Sequence, residues 1–252
     1  MEKLFSKSRI YYDNKYAMKK PASKIKKFIL DILFPKFCLN CKREGTYLCE
    51  DCFYLIDILK RQYCPFCPKI VFDGRTCNSC KKGKSLNGLY CAAPYDDFIV
   101  KKLINQFKYK PHIKELSKPL TSLIIAHFLN LNIPLKPIFD NSVLIPIPLH
   151  KRKIKEQGFN QAEEIGKEFS KFLTAPVLNN VLIKVKQTLL QAESKEKNIK
   201  EAFLCKKPEL VKGKRVFLID DVFITGTTME ECAKALKEAG VEEVWGIVVA
   251  RG

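Results

Sequence analysis

Apolar residues recur along this chain with a period that changes partway. Phe98–Tyr109 and Leu116–Leu129 carry them at three- and four-residue steps, which predicts two amphipathic helices. Tyr90–Tyr95 predicts a strand ahead of them. Beyond residue 140 the apolar runs become short: Val143–Ile147, Val177–Val185, Val216–Ile219 and Val244–Val249 predict strands. Helices are predicted between them at Gln161–Phe172 and Thr228–Ala239, the latter stopped by Gly240. Strands alternating with helices mean an α/β fold with a parallel sheet, and such sheets bind ligands beyond the carboxyl ends of their strands. Lys186–Glu201 is long and polar and predicts a flexible loop.

Upstream of residue 90 the pattern is weaker. Met1–Lys20 is polar and without period, which predicts disorder, and Met18 could itself be the start. Ser23–Phe34 predicts a short amphipathic helix with Ile25, Phe28, Ile29, Ile32 and Leu33 on one face. Its shortness favours packing on its own protein over lying on a membrane surface. The chain therefore divides into a basic leader (1–37), a cysteine-rich module (38–91) and an α/β domain (92–252).

Charge sharpens this division. The 252 residues carry a formal net charge of +18. The leader has ten Lys/Arg against three acids, the cysteine module nine against five, and the rest 26 against 19. Eight thiolates holding two zinc ions would neutralise the module, leaving the basic field on the leader and the α/β domain. Such a field attracts polyphosphate, nucleic acid or anionic membrane, although abundant Lys, Ile and Asn also fit an AT-rich genome. No run approaches the roughly 18 apolar residues of a membrane span, and no secretory signal is visible. The expectation is a cytoplasmic protein.

Four CxxC pairs fill the module: Cys38 and Cys41, Cys49 and Cys52, Cys64 and Cys67, Cys77 and Cys80. Two CxxC turns complete a tetrahedral site of four cysteines, and zinc supplies folding energy that so small a segment cannot draw from burial. Four protein ligands per ion close the sites, which makes them structural. Consecutive pairing, two knuckles in tandem, is the simpler arrangement, and a cross-braced one is the alternative. An iron–sulfur cluster and a disulfide exchanger are weaker rivals. Cys91, Cys205 and Cys232 lie outside the pattern and are expected to be packing residues.

The candidate ligand site centres on Val216–Thr228. An apolar strand delivers Asp220 and Asp221 to its carboxyl end, and the turn Thr225-Gly226-Thr227-Thr228 opens a helix. Backbone N–H groups, hydroxyls and the helix dipole suit a phosphate there, and Gly226 lets the backbone approach it. Adjacent carboxylates suit vicinal hydroxyls or a magnesium ion reached through water. Together these describe ribose 5-phosphate. Earlier in the chain the strand Val143–Ile147 ends in a Pro-x-Pro turn followed by His150, Lys151, Arg152 and Lys153, cations suited to pyrophosphate.

The Val216–Thr228 stretch resembles the thirteen-residue signature of type I phosphoribosyltransferases. In that family the acid pair, here Asp220 and Asp221, binds the ribose hydroxyls. The loop, here Thr225, Gly226, Thr227 and Thr228, holds the 5-phosphate. Ile224 stands where the family often has Thr. Gly158-Phe159-Asn160-Gln161, Lys197-Asn198 with Ala202-Phe203, and the leader Ile29–Pro35 are similar to the ComF-type competence proteins, a branch of that fold with a double zinc ribbon. The resemblance covers roughly Ile25 to Gly252. Gln157 and Lys197 replace residues that are usually Arg in that family.

The resemblance implies a protein that binds phosphoribosyl pyrophosphate with magnesium and handles incoming single-stranded DNA in natural transformation. Its partners would be a competence helicase or single-strand-binding proteins. Tyr47, Phe53, Tyr63, Phe66, Phe72 and Tyr90 are aromatic residues that could stack on bases. The alternative is an enzyme that transfers ribose 5-phosphate to a base or amine. The chain has no glutamine-hydrolysing half, so glutamine-driven amine transfer is not expected.

Overall fold

The computed structural model describes residues 34–185 and 202–252. The leader helix expected at Ser23–Phe34 (but for Phe34), the start at Met18 and the polar loop Lys186–Glu201 lie outside the described residues.

Four parallel strands form the central sheet: β3 (Gly88–Pro94), β4 (Ser142–Pro146), β7 (Arg215–Phe223) and β8 (Glu243–Arg251), in the order β3-β8-β7-β4. The apolar runs that predicted them are continuous because a parallel sheet is covered on both faces. On one face pack α3 (Phe98–Lys108), α4 (Ser117–Asn130) and α7 (Gln161–Ser170), burying Leu103, Leu120, Phe128, Ile165 and Phe169 against Phe217, Ile219 and Ile247. On the other lies α8 (Thr227–Glu238), with Met229, Cys232 and Leu236 against Val216, Leu218 and Val248. Asp97 starts α3 by accepting from the backbone N–H groups of Ile99 and Val100, each at 2.9 Å.

Three local expectations change. Val177–Val185 is not one strand. Val177 makes an isolated parallel bridge to Leu144, and Leu182–Val185 (β5) pairs antiparallel with Ala202–Cys205 (β6). Asn179 and Asn180 divide the run, Asn180 taking a left-handed φ of 61°, as turn-forming asparagines do. Strand β7 does not end at the acid pair: pairing continues through Asp220↔Val248 and Val222↔Ala250 to Phe223. The basic residues after Pro148 do not stay in a turn but form α6 (Lys151–Gln157). A further short helix, α5 (Leu135–Phe139), had no clear periodicity to announce it.

The cysteine module is small and tied closely to the sheet. It holds α1 (Glu50–Tyr54), the two-residue strands β1 (Gln62–Tyr63) and β2 (Ile70–Val71), and α2 (Asn78–Lys81). Backbone bonds from Leu59 to the Ala92 carbonyl and from Leu89 to the Gly74 carbonyl, both 2.9 Å, join it to β3. His127 of α4 adds a side-chain anchor: Nδ1 is 2.7 Å from the Leu59 carbonyl, and Nε2 is 2.8 Å from Gln62 Nε2. Burial pushes this imidazole down to about 4, and the Leu59 carbonyl only partly offsets that. The ring is therefore neutral, donating at Nδ1 and accepting from the Gln62 amide at Nε2.

Candidate functional site

The eight module cysteines gather into two groups in tandem. Cys38, Cys41, Cys49 and Cys52 form one, and Cys64, Cys67, Cys77 and Cys80 the other, with all sulfurs of a group within 4.8 Å of each other. Cys41 and Cys49 sulfurs are 3.5 Å apart, and those of Cys67 and Cys77 3.7 Å. Tetrahedral Zn–S bonds of ~2.3 Å place sulfurs about 3.8 Å apart, so both groups fit zinc. Surrounding donors also suit thiolates: Asn40 Nδ2 donates to Cys52 Sγ and the Cys77 N–H to Cys64 Sγ, each at 3.4 Å. The cross-braced alternative is excluded by this grouping. Cys91 and Cys232 are buried in the core, and burial pushes the Cys91 thiol up to about 12.

At the carboxyl end of the sheet, β7 presents the acid pair. The alternation of faces breaks there. Ile219 and Val222 both pack on the α3/α4/α7 side although they are three residues apart, and Phe223 packs on the other. Asp221 is 4% exposed, and its Oδ1 meets Lys108 Nζ at 3.0 Å. Its Oδ2 is buried with no partner among the described residues. Burial first, and then the Asp221 charge beside it, push the Asp220 carboxyl well above the usual carboxylate range, against the pull of Lys108. For Lys108 burial works against the charge, but Asp221 outweighs it and the ammonium sits above the ordinary lysine value.

The turn that follows is shaped by two constraints. Gly226 has a left-handed φ of 73°, and a Cβ there would lie 2.4 Å from Phe223 Cζ. Glycine is required by backbone and by the Phe223 ring together, a reason the sequence did not show. The Thr225 and Thr227 hydroxyls lie 3.1 Å apart, and Thr225 Oγ1 accepts from the Thr227 N–H at 3.4 Å. Thr227 and Thr228 open the twelve-residue α8, whose N-cap Gly226 leaves the first turn without a side-chain cap. Ile224 is exposed beside this loop.

The Pro-x-Pro turn leaves β4, the neighbour of β7, at the same end of the sheet; the Ile147 N–H donates to the Ile219 carbonyl at 2.9 Å. His150 caps α6, its Nδ1 accepting from the Arg152 N–H at 3.2 Å. Lys151 begins α6. The Arg152 side chain is 84% exposed and pairs with Glu156 at 3.0 Å, so it stands in solvent rather than against the acid pair.

Sequence reasoning missed how the Gly-Phe-Asn-Gln run works. Asn160 Nδ2 donates to the Ile147 carbonyl at 3.0 Å, fixing the Pro-x-Pro turn. Gln161 Nε2 donates to the Phe107 carbonyl at 3.3 Å, and Phe159 packs on Phe107 with ring centroids 5.4 Å apart. Gln157 Nε2 reaches the Lys108 carbonyl at 3.5 Å. The run thus holds the end of α3 in place, and with it Lys108. The only signal for Lys108 was its position at the end of a predicted amphipathic helix.

The second cysteine group is linked to the phosphate-type loop. Arg251, near the end of β8, donates to the Cys64 carbonyl at 2.8 Å and the Pro65 carbonyl at 3.3 Å. Its guanidinium also lies 5.8 Å from the Phe223 ring that confines Gly226. Glu230, in the first turn of α8, accepts from the Ser85 and Leu86 N–H groups at 2.7 and 3.1 Å.

Comparison with known proteins agrees with both halves. Residues 154–252 match the family of phosphoribosyl transferase domains, and residues 29–92 match the double zinc ribbon domain. Competence protein F of Haemophilus influenzae is 39% identical over 114 residues, covering 42% of this chain and 50% of that protein. DNA utilization protein YhgH of Escherichia coli K12 is 26% identical over 155 residues, covering 57% and 64%. The chain thus spans between half and two thirds of these relatives. Competence protein ComFC of Bacillus subtilis is 23% identical over 202 residues, covering 77% and 79%. Among solved structures, the allosteric regulatory enzyme of purine biosynthesis covers 42% of this chain and 21% of its own at 21% identity, with a TM-score of 0.30. No helix among the described residues is long and apolar enough to cross a membrane. A double zinc ribbon domain and a phosphoribosyl transferase domain are thus both matched in the sequence and both present in the fold, and the chain is similar to competence proteins F and ComFC.

Proposed function

We propose that this protein binds phosphoribosyl pyrophosphate with magnesium at the carboxyl end of its sheet and handles single-stranded DNA in the cytoplasm during natural transformation. The observation that carries the ligand assignment is the buried Oδ2 of Asp221, without a partner among the described residues and four residues ahead of the Thr225–Thr228 turn in the chain. A buried carboxylate oxygen without a donor costs free energy unless a ligand supplies one.

In this reading Asp220 and Asp221 accept hydrogen bonds from the ribose hydroxyls. Thr225, Gly226, Thr227 and Thr228 cradle the 5-phosphate with hydroxyls and helix-start N–H groups. His150, Lys151 and Arg152 serve the pyrophosphate, with Arg152 exchanging its exposed pair with Glu156 for the ligand. Magnesium suits the hard oxygens present and would neutralise pyrophosphate charge. Lys108 orients Asp221 through their ion pair. The names of the competence and DNA utilization relatives, together with the +18 charge, support the DNA role.

Phosphorus NMR tests the ligand assignment. Adding protein to phosphoribosyl pyrophosphate should shift or broaden the 5-phosphate resonance and, with magnesium present, the diphosphate resonances as well. Unchanged spectra with folded, zinc-loaded protein would contradict it.

A further inference from the structure

A cleft opens at the end of the sheet opposite the acid pair. It has a volume of about 540 Å³ and lies between the second zinc hairpin and the amino ends of β3, β7 and β8. Phe217 and Trp245 line it from the sheet, and Lys60, Arg61 and Phe72 from the hairpin. From Phe217 to Asp221 is four residues along β7, about 13 Å, so this cleft is separate from the acid pair.

Its chemistry is unlike that of an ordinary surface. Four cations line it, Lys60, Arg61, Arg75 and Arg215, against a single carboxylate in the lining, Asp73. Arg75 and Arg215 are both held by Glu243, at 3.3 and 2.8 Å, and the Arg75 guanidinium lies 5.1 Å from the Trp245 ring. Lys60 and Arg61 are exposed and carry no ion pair among the described residues. Phe72 is fully exposed, 101% relative to a free residue, at the end of β2. Tyr90, by contrast, is buried and stacks on Trp245, and Phe66 lies under Lys84. Of the aromatic residues singled out in the sequence, Phe72 therefore offers the most open ring face.

We propose that this cleft seats a single strand of nucleic acid, with a base stacked on Phe72 and phosphates at Lys60 and Arg61. The proposal rests on the DNA-handling reading and gives it a location. Unpaired cations call for an anion, and an exposed aromatic ring beside them calls for a flat apolar face. A nucleotide in a single strand supplies both, whereas a duplex keeps its base faces stacked inside. The cleft has the size of a pocket for a small ligand, enough for about one or two nucleotides. The acid pair and its loop take no part.

Fluorescence anisotropy of a labelled oligothymidylate, on zinc-loaded protein over a range of salt, tests this. Phe72→Ala should weaken binding roughly tenfold. Lys60→Ala with Arg61→Ala should lower the slope of log affinity against log salt by about 1.4. All variants should keep two zinc ions per chain, showing that the hairpin is intact. Binding by the unaltered protein that none of the cleft variants weakens would overturn the location and leave the DNA role standing. No binding at low salt would sink the DNA role and the cleft together. Equal binding of a duplex, or equal displacement by polyglutamate, would overturn the single-strand assignment.

Discussion

Lys108 Nζ lies 3.0 Å from Asp221 Oδ1, joining the end of α3 to the acid pair of β7. Asp221 is almost fully buried, while the Lys108 side chain keeps 31% of its exposure. Removing one partner leaves a buried charge without compensation. Lys108→Met should cost about 2–3 kcal/mol, toward the low end for buried pairs because solvent reaches the lysine. Asp221→Asn combined with it should recover part of that loss. Denaturant unfolding of the two single variants and the double variant measures the coupling; additive costs would mean that the pair does not interact.

Arg251 predicts communication between zinc and the phosphate-type loop. It grips the carbonyls of the second zinc turn and lies beside Phe223, whose ring fixes the space at Gly226. Arg251→Met should raise amide hydrogen exchange across residues 223–228 while zinc content stays at two per chain. Protection unchanged in that segment would show that the loop holds its shape without the guanidinium.

Tandem zinc pairing predicts a stoichiometry. Cys41→Ser with Cys49→Ser removes two ligands from one group and none from the other. The doubly substituted protein should keep one zinc ion by elemental analysis. A cross-braced module would lose both, because those cysteines would then belong to different sites.

His127 gives a pH dependence of known sign. Its folded value, pushed by burial to about 4, lies below that of an unfolded histidine, about 6.5. The stability it contributes is complete above about 6.5 and is lost as pH falls from there toward 4. Between pH 6.5 and 5.5 the loss from this group is about 1 kcal/mol. A His127→Asn variant, whose amide can still donate to the Leu59 carbonyl, should lose less over that interval in denaturant unfolding. Zinc-ligand protonation affects both proteins alike. Parallel pH curves would mean that the histidine is not held neutral.

The parts of the fold legible in the sequence were those set by local pattern. The continuous apolar runs of β4, β7 and β8 and the three- and four-residue steps of α3 and α4 needed only burial to be read. CxxC spacing announced the zinc groups, but their pairing depended on where β1 and β2 turn back. The acid pair and Thr/Gly turn were visible as residue types. Their setting was not: Lys108 reaches Asp221 from 113 residues away along the chain (108 to 221), and Arg251 reaches Cys64 from 187. Arg152 was expected on a turn facing pyrophosphate and instead stands exposed on a short helix, because Pro148 and His150 start α6 immediately. Long-range contacts of this kind leave no periodicity to read.

The most direct test is calorimetric titration of phosphoribosyl pyrophosphate with magnesium into the zinc-loaded protein and into an Asp220→Asn, Asp221→Asn variant. The account predicts saturable one-to-one binding that the variant loses while remaining folded. Equal binding by the variant would place the ligand elsewhere, and no binding by the unaltered protein would contradict the assignment of this end of the sheet to phosphoribosyl pyrophosphate.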